Sequence, residues 1–192
     1  VLAEQASAGE VVLTDTNLIA LQMAELTLKA NGVRNARMHS DISVLPEYAN
    51  AFDVVVLELP KGRSLARRWL VESYVALKPG GKLYLAGAND MGIKSAIMDA
   101  EALYGNASVG AYKSKNRVAI ATKGVGTPGK PAWAQEAGVA PGTWYSFNIE
   151  LGGLAYAICS LPGVFSFDRL DDGTKLLVST LGTTAGLRVL DV

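Results

Sequence analysis

The stretch Phe52-Asp53-Val54-Val55-Val56-Leu57-Glu58-Leu59-Pro60-Lys61-Gly62, then Arg63 to Leu77, then Lys78-Pro79-Gly80-Gly81-Lys82-Leu83-Tyr84-Leu85-Ala86-Gly87-Ala88-Asn89 decides the fold. An apolar run, an amphipathic run and a second apolar run follow one another, which predicts a strand, a helix and a strand. Val54 to Leu57 is continuously apolar rather than alternating, the pattern of a parallel strand covered on both faces. Leu65, Trp69, Leu70, Val71 and Leu77 share one broad helical stripe, with Arg63, Arg67, Arg68 and Glu72 mostly off it. Pro79-Gly80-Gly81 is a stop signal that leads into the second strand and closes a right-handed βαβ crossover.

Working outward, Val1 to Ala8 has the character of a helix tail, and Val11 to Asp15 that of a short buried strand ending in an acid. Asn17 can cap a helix through Lys29 whose apolar positions are Leu18, Leu21, Met23, Leu26 and Leu28, and Asn31-Gly32 ends it. Val33 to His39 is a weaker strand, and Pro46 to Asn50 a short polar lead into the quoted stretch. After Asn89-Asp90-Met91-Gly92, a helix is predicted over Ile93 to Tyr104 with Ile93, Ile97, Met98 and Leu103 inward. Ala107 to Tyr112 and Arg117 to Thr122 are β-rich runs joined by a connection of hairpin length. Such alternation predicts an α/β domain with a mostly parallel, doubly wound sheet, ligands at the carboxyl ends of its strands, and an antiparallel finish.

From Gly124 to Gly142 the composition turns to glycine, proline and alanine, the mark of a linker or surface crossing. Trp144 to Glu150 and Leu154 to Ser160 flank Gly152-Gly153 and predict a second hairpin. A helix starting near Asp168 and ending at Gly182 follows, and Leu187 to Val192 is expected to be a buried strand.

The 192 residues are 49% hydrophobic, ample for a core, and 18 basic residues balance 18 acidic ones, so the global field does not mark a polyanion binder. One cysteine, Cys159, excludes an internal disulfide. No run approaches a membrane span and no signal peptide is visible, which makes a cytoplasmic, enzyme-like protein the expectation.

Leu161-Pro162-Gly163-Val164-Phe165-Ser166, Leu170-Asp171-Asp172-Gly173-Thr174-Lys175-Leu176-Leu177 and the ending Arg188-Val189-Leu190-Asp191-Val192 closely resemble the ribosomal RNA small-subunit methyltransferase C family. Leu59-Pro60-Lys61 and Gly87 to Ser95 resemble the first of that family's two tandem methyltransferase-like domains, and the antiparallel finish matches the class I methyltransferase sheet. The resemblance implies transfer of a methyl group from S-adenosylmethionine to a guanine N2 of ribosomal RNA by the second domain, with the first degenerate. It divides the chain into a degenerate Rossmann-like domain at 1–123, a linker at 124–143, and the start of the catalytic domain at 144–192. It makes Phe165 and Asp191 cofactor-binding residues of the complete protein, and the small ribosomal subunit its partner. The catalytic Asn-Pro-Pro-aromatic segment of the family is replaced in the first domain by Glu58-Leu59-Pro60-Lys61, so no catalytic residue is expected in this chain and tight cofactor binding is not expected from it alone. The alternative is a Rossmann-like binding or scaffolding module without methyltransferase activity.

Other residues carry competing readings. Asp15 marks either residual ribose binding or a helix entry, His39 a polar strand end rather than a catalytic or metal-binding group, Cys159 a small core residue rather than a nucleophile, and Gly87 to Gly92 either a phosphate cradle or an ordinary turn. Phe165 has core packing as its rival role. Lys61, Arg63, Arg67 and Arg68 form a local basic cluster suited to RNA phosphates or to a solvated helix face. The methyltransferase strand order 3-2-1-4-5-7-6 leaves a vacancy between the strands ending at Asp15 and Leu57, which either Leu187 to Val192 of the same chain, or of a second copy in an exchanged homodimer, fills, or direct pairing of the two strands closes.

Overall fold

A computed structural model describes residues 2–39, 48–126, 129–182, 184 and 186–190. The elements in order are α1 (Leu2–Gln5), β1 (Val11–Thr14), α2 (Leu18–Ala30), β2 (Ala36–His39), β3 (Phe52–Glu58), α3 (Arg63–Ala76), β4 (Leu77–Ala88), α4 (Ile93–Tyr104), β5 (Ser108–Lys113) and β6 (Asn116–Thr122). A short 3-10 helix (Ala132–Gln135), the hairpin strands β7 (Tyr145–Leu151) and β8 (Leu154–Ser160), and α5 (Asp172–Thr180) complete the chain.

The quoted stretch forms the predicted βαβ unit, with β3 and β4 parallel and Val55, Val56 and Leu57 opposite Leu83, Tyr84 and Leu85. β6 runs antiparallel on the far side of β4, with Leu83 opposite Ala121 and Leu85 opposite Ala119, and β5 closes the sheet in the order β3-β4-β6-β5. Val55 and Leu57, Leu83 and Leu85, and Ala119 and Ala121 face α3 and α4, where Leu70, Val71, Ala100 and Leu103 complete the core. Leu70, Leu77, Leu83, Leu85, Ile93 and Leu103 are among the largest fully buried side chains. Burying each contributes about 1.5–3 kcal/mol before conformational entropy is counted.

The helix ends follow local chemistry. The Asn17 side chain accepts hydrogen bonds from the backbone N–H of Ile19 and Ala20 at the start of α2. Gly105, in the left-handed region at φ 75°, ends α4. α3 stops at Ala76, before Pro79-Gly80-Gly81, because the chain is already extended at Leu77 and pairs with Phe52. α5 is capped by Asp171 rather than Asp168, through bonds from the N–H groups of Gly173 and Thr174.

Three expectations are corrected. β3 is covered on one face only: Val54 and Val56 are 51% and 52% exposed, because α3 and α4 pack on the same side of the sheet while α2 lies against β2. For the same reason Leu18, Met23 and Leu26 of α2 are exposed and Leu21 alone in that helix is buried. Met98 points outward at 69% exposure, and Ala96, Asp99 and Ala100 take the inner face of α4.

Among the described residues β1 pairs with β2 alone and β3 with β4 alone, so the strand order is β1-β2 in one piece and β3-β4-β6-β5 in another. Leu187 to Leu190 forms no strand and is exposed, so the terminal segment does not fill the interval within its own chain; Asp191 and Val192 lie outside the described residues. The glycine- and proline-rich segment is more than a surface crossing. Its Ala134 and Val139 are buried in the same core as Leu70 and Leu103, and Trp133 packs against it.

Candidate functional site

The carboxyl ends of β3 and β4 are where a sheet of this kind holds ligands. The Leu59 N–H donates to the Ala86 carbonyl at 2.8 Å, extending the β3–β4 ladder by one residue. Leu59 is buried, and a Cβ built on Gly87 would lie 2.8 Å from Leu59 Cβ and 3.2 Å from Ile93 Cδ1. The glycine therefore admits Leu59, which packs with Ile93 in the hydrophobic core at the end of the sheet. Gly92, at φ 92°, starts α4 without a side-chain cap, which makes the Gly87 to Gly92 stretch a strand end and turn.

The basic cluster is taken apart by the structure. Arg63 and Arg67, one turn apart on α3, both donate through Nε and Nη2 to the Asp99 carboxylate of α4, at 3.0 to 3.1 Å. Burial pushes the Asp99 carboxyl up, but the hydrogen bonds from Arg63 and then Arg67 outweigh it and hold the group below the usual carboxylate range. The Arg67 guanidinium also lies 4.9 Å from the centre of the Trp133 ring, tying the linker to α3. Arg68 is buried and its Nε donates to Glu72 at 2.9 Å, so both lie inside although their sequence positions fall off the apolar stripe. Of the four, only Lys61 is exposed without an ion pair among the described residues.

The C-terminal motif lies after β8. Pro162 is fully buried, and a Cβ on Gly163 would sit 3.1 Å from Leu65, so this turn is seated on α3. Phe165 then projects outward at 84% exposure and lines a cleft of about 350 Å³ with Ser166, Arg169, Leu170, Asp171, Asp172 and Lys175. Core packing of Phe165 is thereby excluded within this chain. Asp171 accepts from the Thr174 hydroxyl, from the Thr174 N–H and from the Gly173 N–H, which lower its pKa. These bonds occupy the first N–H groups of α5. Asp191, the second expected cofactor residue, falls outside the described residues.

Asp15 accepts from the Asn17 N–H at 2.8 Å, the helix-entry role. His39 packs edge-on against Tyr48, with ring centres 5.8 Å apart. Cys159 is exposed on β8 rather than in a core, its thiol 3.6 Å from the Ser146 hydroxyl. No group of three potential metal ligands occurs among the described residues. Sequence reasoning missed Asp99 and also Lys123, a buried ammonium that donates to Asn50 Oδ1 and the Leu77 carbonyl and lies 4.8 Å from the Tyr74 ring centre. Burial lowers its pKa.

Two family models match the chain: the methyltransferase small domain N-terminal at residues 15–107 and the methyltransferase small domain at residues 155–192. Ribosomal RNA small subunit methyltransferase C of Marinomonas sp. is 32% identical over 152 residues, covering 76% of this chain and 40% of the relative. The protein of the same name from Shewanella amazonensis is 35% identical over 150 residues, covering 73% and 38%. The chain belongs to the ribosomal RNA small subunit methyltransferase C family.

It spans about 40% of the length of those curated relatives of the methyltransferase C family. A solved T. thermophilus 16S rRNA methyltransferase of that name, in complex with AdoMet and guanosine, is 29% identical and superposes with a TM-score of 0.64, covering 89% of this chain and 47% of its own. A predicted O-methyltransferase from Agrobacterium tumefaciens, 16% identical with a TM-score of 0.52 over 64% of this chain and 66% of its own, shares the fold. The class I methyltransferase sheet expected for the family is thus present, interrupted between β1 and β3 among the described residues. No helix among the described residues is long and apolar enough to cross a membrane.

Proposed function

We propose that this chain is the non-catalytic N-terminal part of a cytoplasmic S-adenosylmethionine-dependent methyltransferase acting on a guanine N2 of small-subunit ribosomal RNA. Residues 1–123 form its degenerate domain, 124–143 the connection, and 144–192 the entry to the catalytic domain. The observation that carries the reading is Leu59 packed over Gly87 at the carboxyl end of β3. An amine acceptor must be held by fixed oxygen atoms and a stacked ring beside the methyl donor. Here an aliphatic side chain and Pro60 occupy that position, which supports a scaffolding role for the first domain.

The second unit supports the same division. Leu176, Leu177 and Phe165 are exposed, and no residue of α5 is buried, as befits surfaces that a further sheet would cover. In the complete protein Phe165 and Asp191 would lie against the cofactor, the ring by contact with apolar parts and the carboxylate by accepting from ribose hydroxyls. The proposal extends to assembly: a terminal strand exchanged from a second copy would complete the interval between β1 and β3.

Titrating S-adenosylmethionine into the 192-residue chain by calorimetry tests the reading, with methyl transfer to small-subunit RNA by the complete protein as its positive arm. The expected result is no saturable heat from the chain and methylation of guanine N2 by the complete protein. Saturable micromolar binding by the chain, or a complete protein that leaves the RNA unmethylated, overturns it.

A further inference from the structure

A basic edge separate from the α3 arginines is assembled by the topology rather than by any run of sequence. Glu58 is opposite Ala86 and Ala88 is opposite Asn116, so the loop after β3, the loop after β4 and the β5–β6 turn lie side by side at the carboxyl edge of the sheet. Lys61 follows β3, Lys94 stands in the first turn of α4, and Lys113, Lys115 and Arg117 belong to the hairpin. Glu58 and Asp90 are the acidic residues of the same loops. Five cations face two carboxylates, on a chain whose total charge is zero. Lys61, Lys94, Lys113 and Lys115 are exposed and enter none of the ion pairs formed among the described residues.

The geometry around them is fixed. Arg117 Nε donates to Asn89 Oδ1 at 2.8 Å, and its guanidinium lies 4.8 Å from the centre of the Tyr112 ring. The Asn89 N–H donates to the Lys115 carbonyl at 2.9 Å, locking the turn to the end of β4. Ser114 and Lys115 take φ values of 48° and 66°, the left-handed region that a two-residue hairpin normally gives to asparagine and glycine. A strained turn that displays lysine where glycine would relax it is a feature that packing does not require. Tyr112 remains 58% exposed beside it.

We propose that this edge is an RNA-docking surface: Lys61, Lys94, Lys113 and Lys115 contact the phosphates of an unpaired RNA segment, Arg117 is held in place to add a fifth charge, and Tyr112 stacks a base. Phosphate contacts need exposed cations without internal partners, and unpaired bases stack on exposed rings. Both conditions meet here, whereas the arginines of α3 are engaged with Asp99 and Glu72. The inference rests on the ribosomal RNA methyltransferase reading for its choice of nucleic acid.

Fluorescence anisotropy of a labelled oligouridine RNA with the 192-residue chain, repeated over a series of KCl concentrations, tests it. Changing Lys61, Lys94, Lys113 and Lys115 together to alanine should weaken binding at least about tenfold at low salt and reduce the slope of log K against log salt by roughly 3, at about 0.7 per single-strand phosphate contact. The corresponding four arginine changes should keep the slope, and Tyr112→Ala should weaken binding by roughly tenfold with the slope intact. Thermal unfolding of each variant reports folding, and Lys115→Glu alone, which should also lower the slope, serves if the fourfold variant does not fold. Absence of salt-dependent binding by the parent chain, or an unchanged slope in the alanine variant, overturns the proposal. Either result leaves methylation by the complete protein to be judged separately. Conversely, slope-dependent binding by a chain whose complete protein fails to methylate would retain the surface and remove the enzyme reading.

Discussion

Replacing Asp99 with alanine should lower the stability of the first unit by about 1.5–3 kcal/mol, nearly all of it from the lost Arg67 partnership. Arg63 is 60% exposed, so solvent screens its share of the cluster and little is lost there. The Arg67 side chain is 21% exposed and stacked on Trp133, and losing its charged acceptor in that setting costs about 1.5–3 kcal/mol. For a chain of this size each kcal/mol moves the unfolding midpoint by about 2–4 °C, which gives a fall of roughly 3–12 °C. Circular dichroism melts of Asp99→Ala, Arg63→Ala, Arg67→Ala and the two double variants form paired mutant cycles. The coupling of Asp99 to Arg67 should clearly exceed its coupling to Arg63, because only the Arg67 pair is shielded from solvent. Equal couplings, or an Asp99→Ala midpoint unchanged within error, would refute the assignment of these arginines to the α3–α4 interface.

Asp99 also sets an acid limit. Its carboxyl is more acidic folded than unfolded, so its contribution is fully present above the unfolded carboxylate value near about 4 and is lost as pH falls through the folded pKa; acid titration of stability should therefore be shallower for Asp99→Asn below about pH 4. Gly87→Ala forces a methyl group against Leu59 and should cost about 1–3 kcal/mol, with Leu59→Ala in the same chain recovering part of it in chemical denaturation; an additive double variant would show that the two do not share a space. Lys123→Ala strips the Leu77 carbonyl and the Asn50 amide oxygen of their donor and should cost about 1–3 kcal/mol, whereas a melt unchanged from the parent would mean that water replaces the ammonium. Strand exchange through 187–192 predicts a concentration-dependent dimer in light scattering that disappears when those residues are removed, and a monomer at every concentration would dismiss it.

The sequence by itself determined the βαβ unit, the antiparallel β5–β6 finish, the β7–β8 hairpin and the family. Those features are local: periodicity names strand or helix, Asn17 and Gly105 mark helix ends, and the Leu161 to Ser166 motif is contiguous. What only the tertiary structure decided is the partnership of charges and the covering of faces. Arg63 and Arg67 appeared available until Asp99, 36 and 32 residues away, was brought against them by the packing of α3 on α4. Arg68 and Glu72 form an ion pair through Nε and Oε1, so two charges off the apolar stripe are buried together. Val54 and Val56 carry the signature of a strand covered twice, yet that pattern records what the sheet faces in its full setting, whereas exposure depends on which helices are present to cover it. Phe165 and α5 show the same distinction, being apolar in sequence and exposed in this chain. The basic edge had no sequence signal because Lys61, Lys94 and Lys115 come to one end of the sheet only when three loops far apart in sequence meet there. Charge is summed along a chain but acts through space, and strand order and register decide which charges act together.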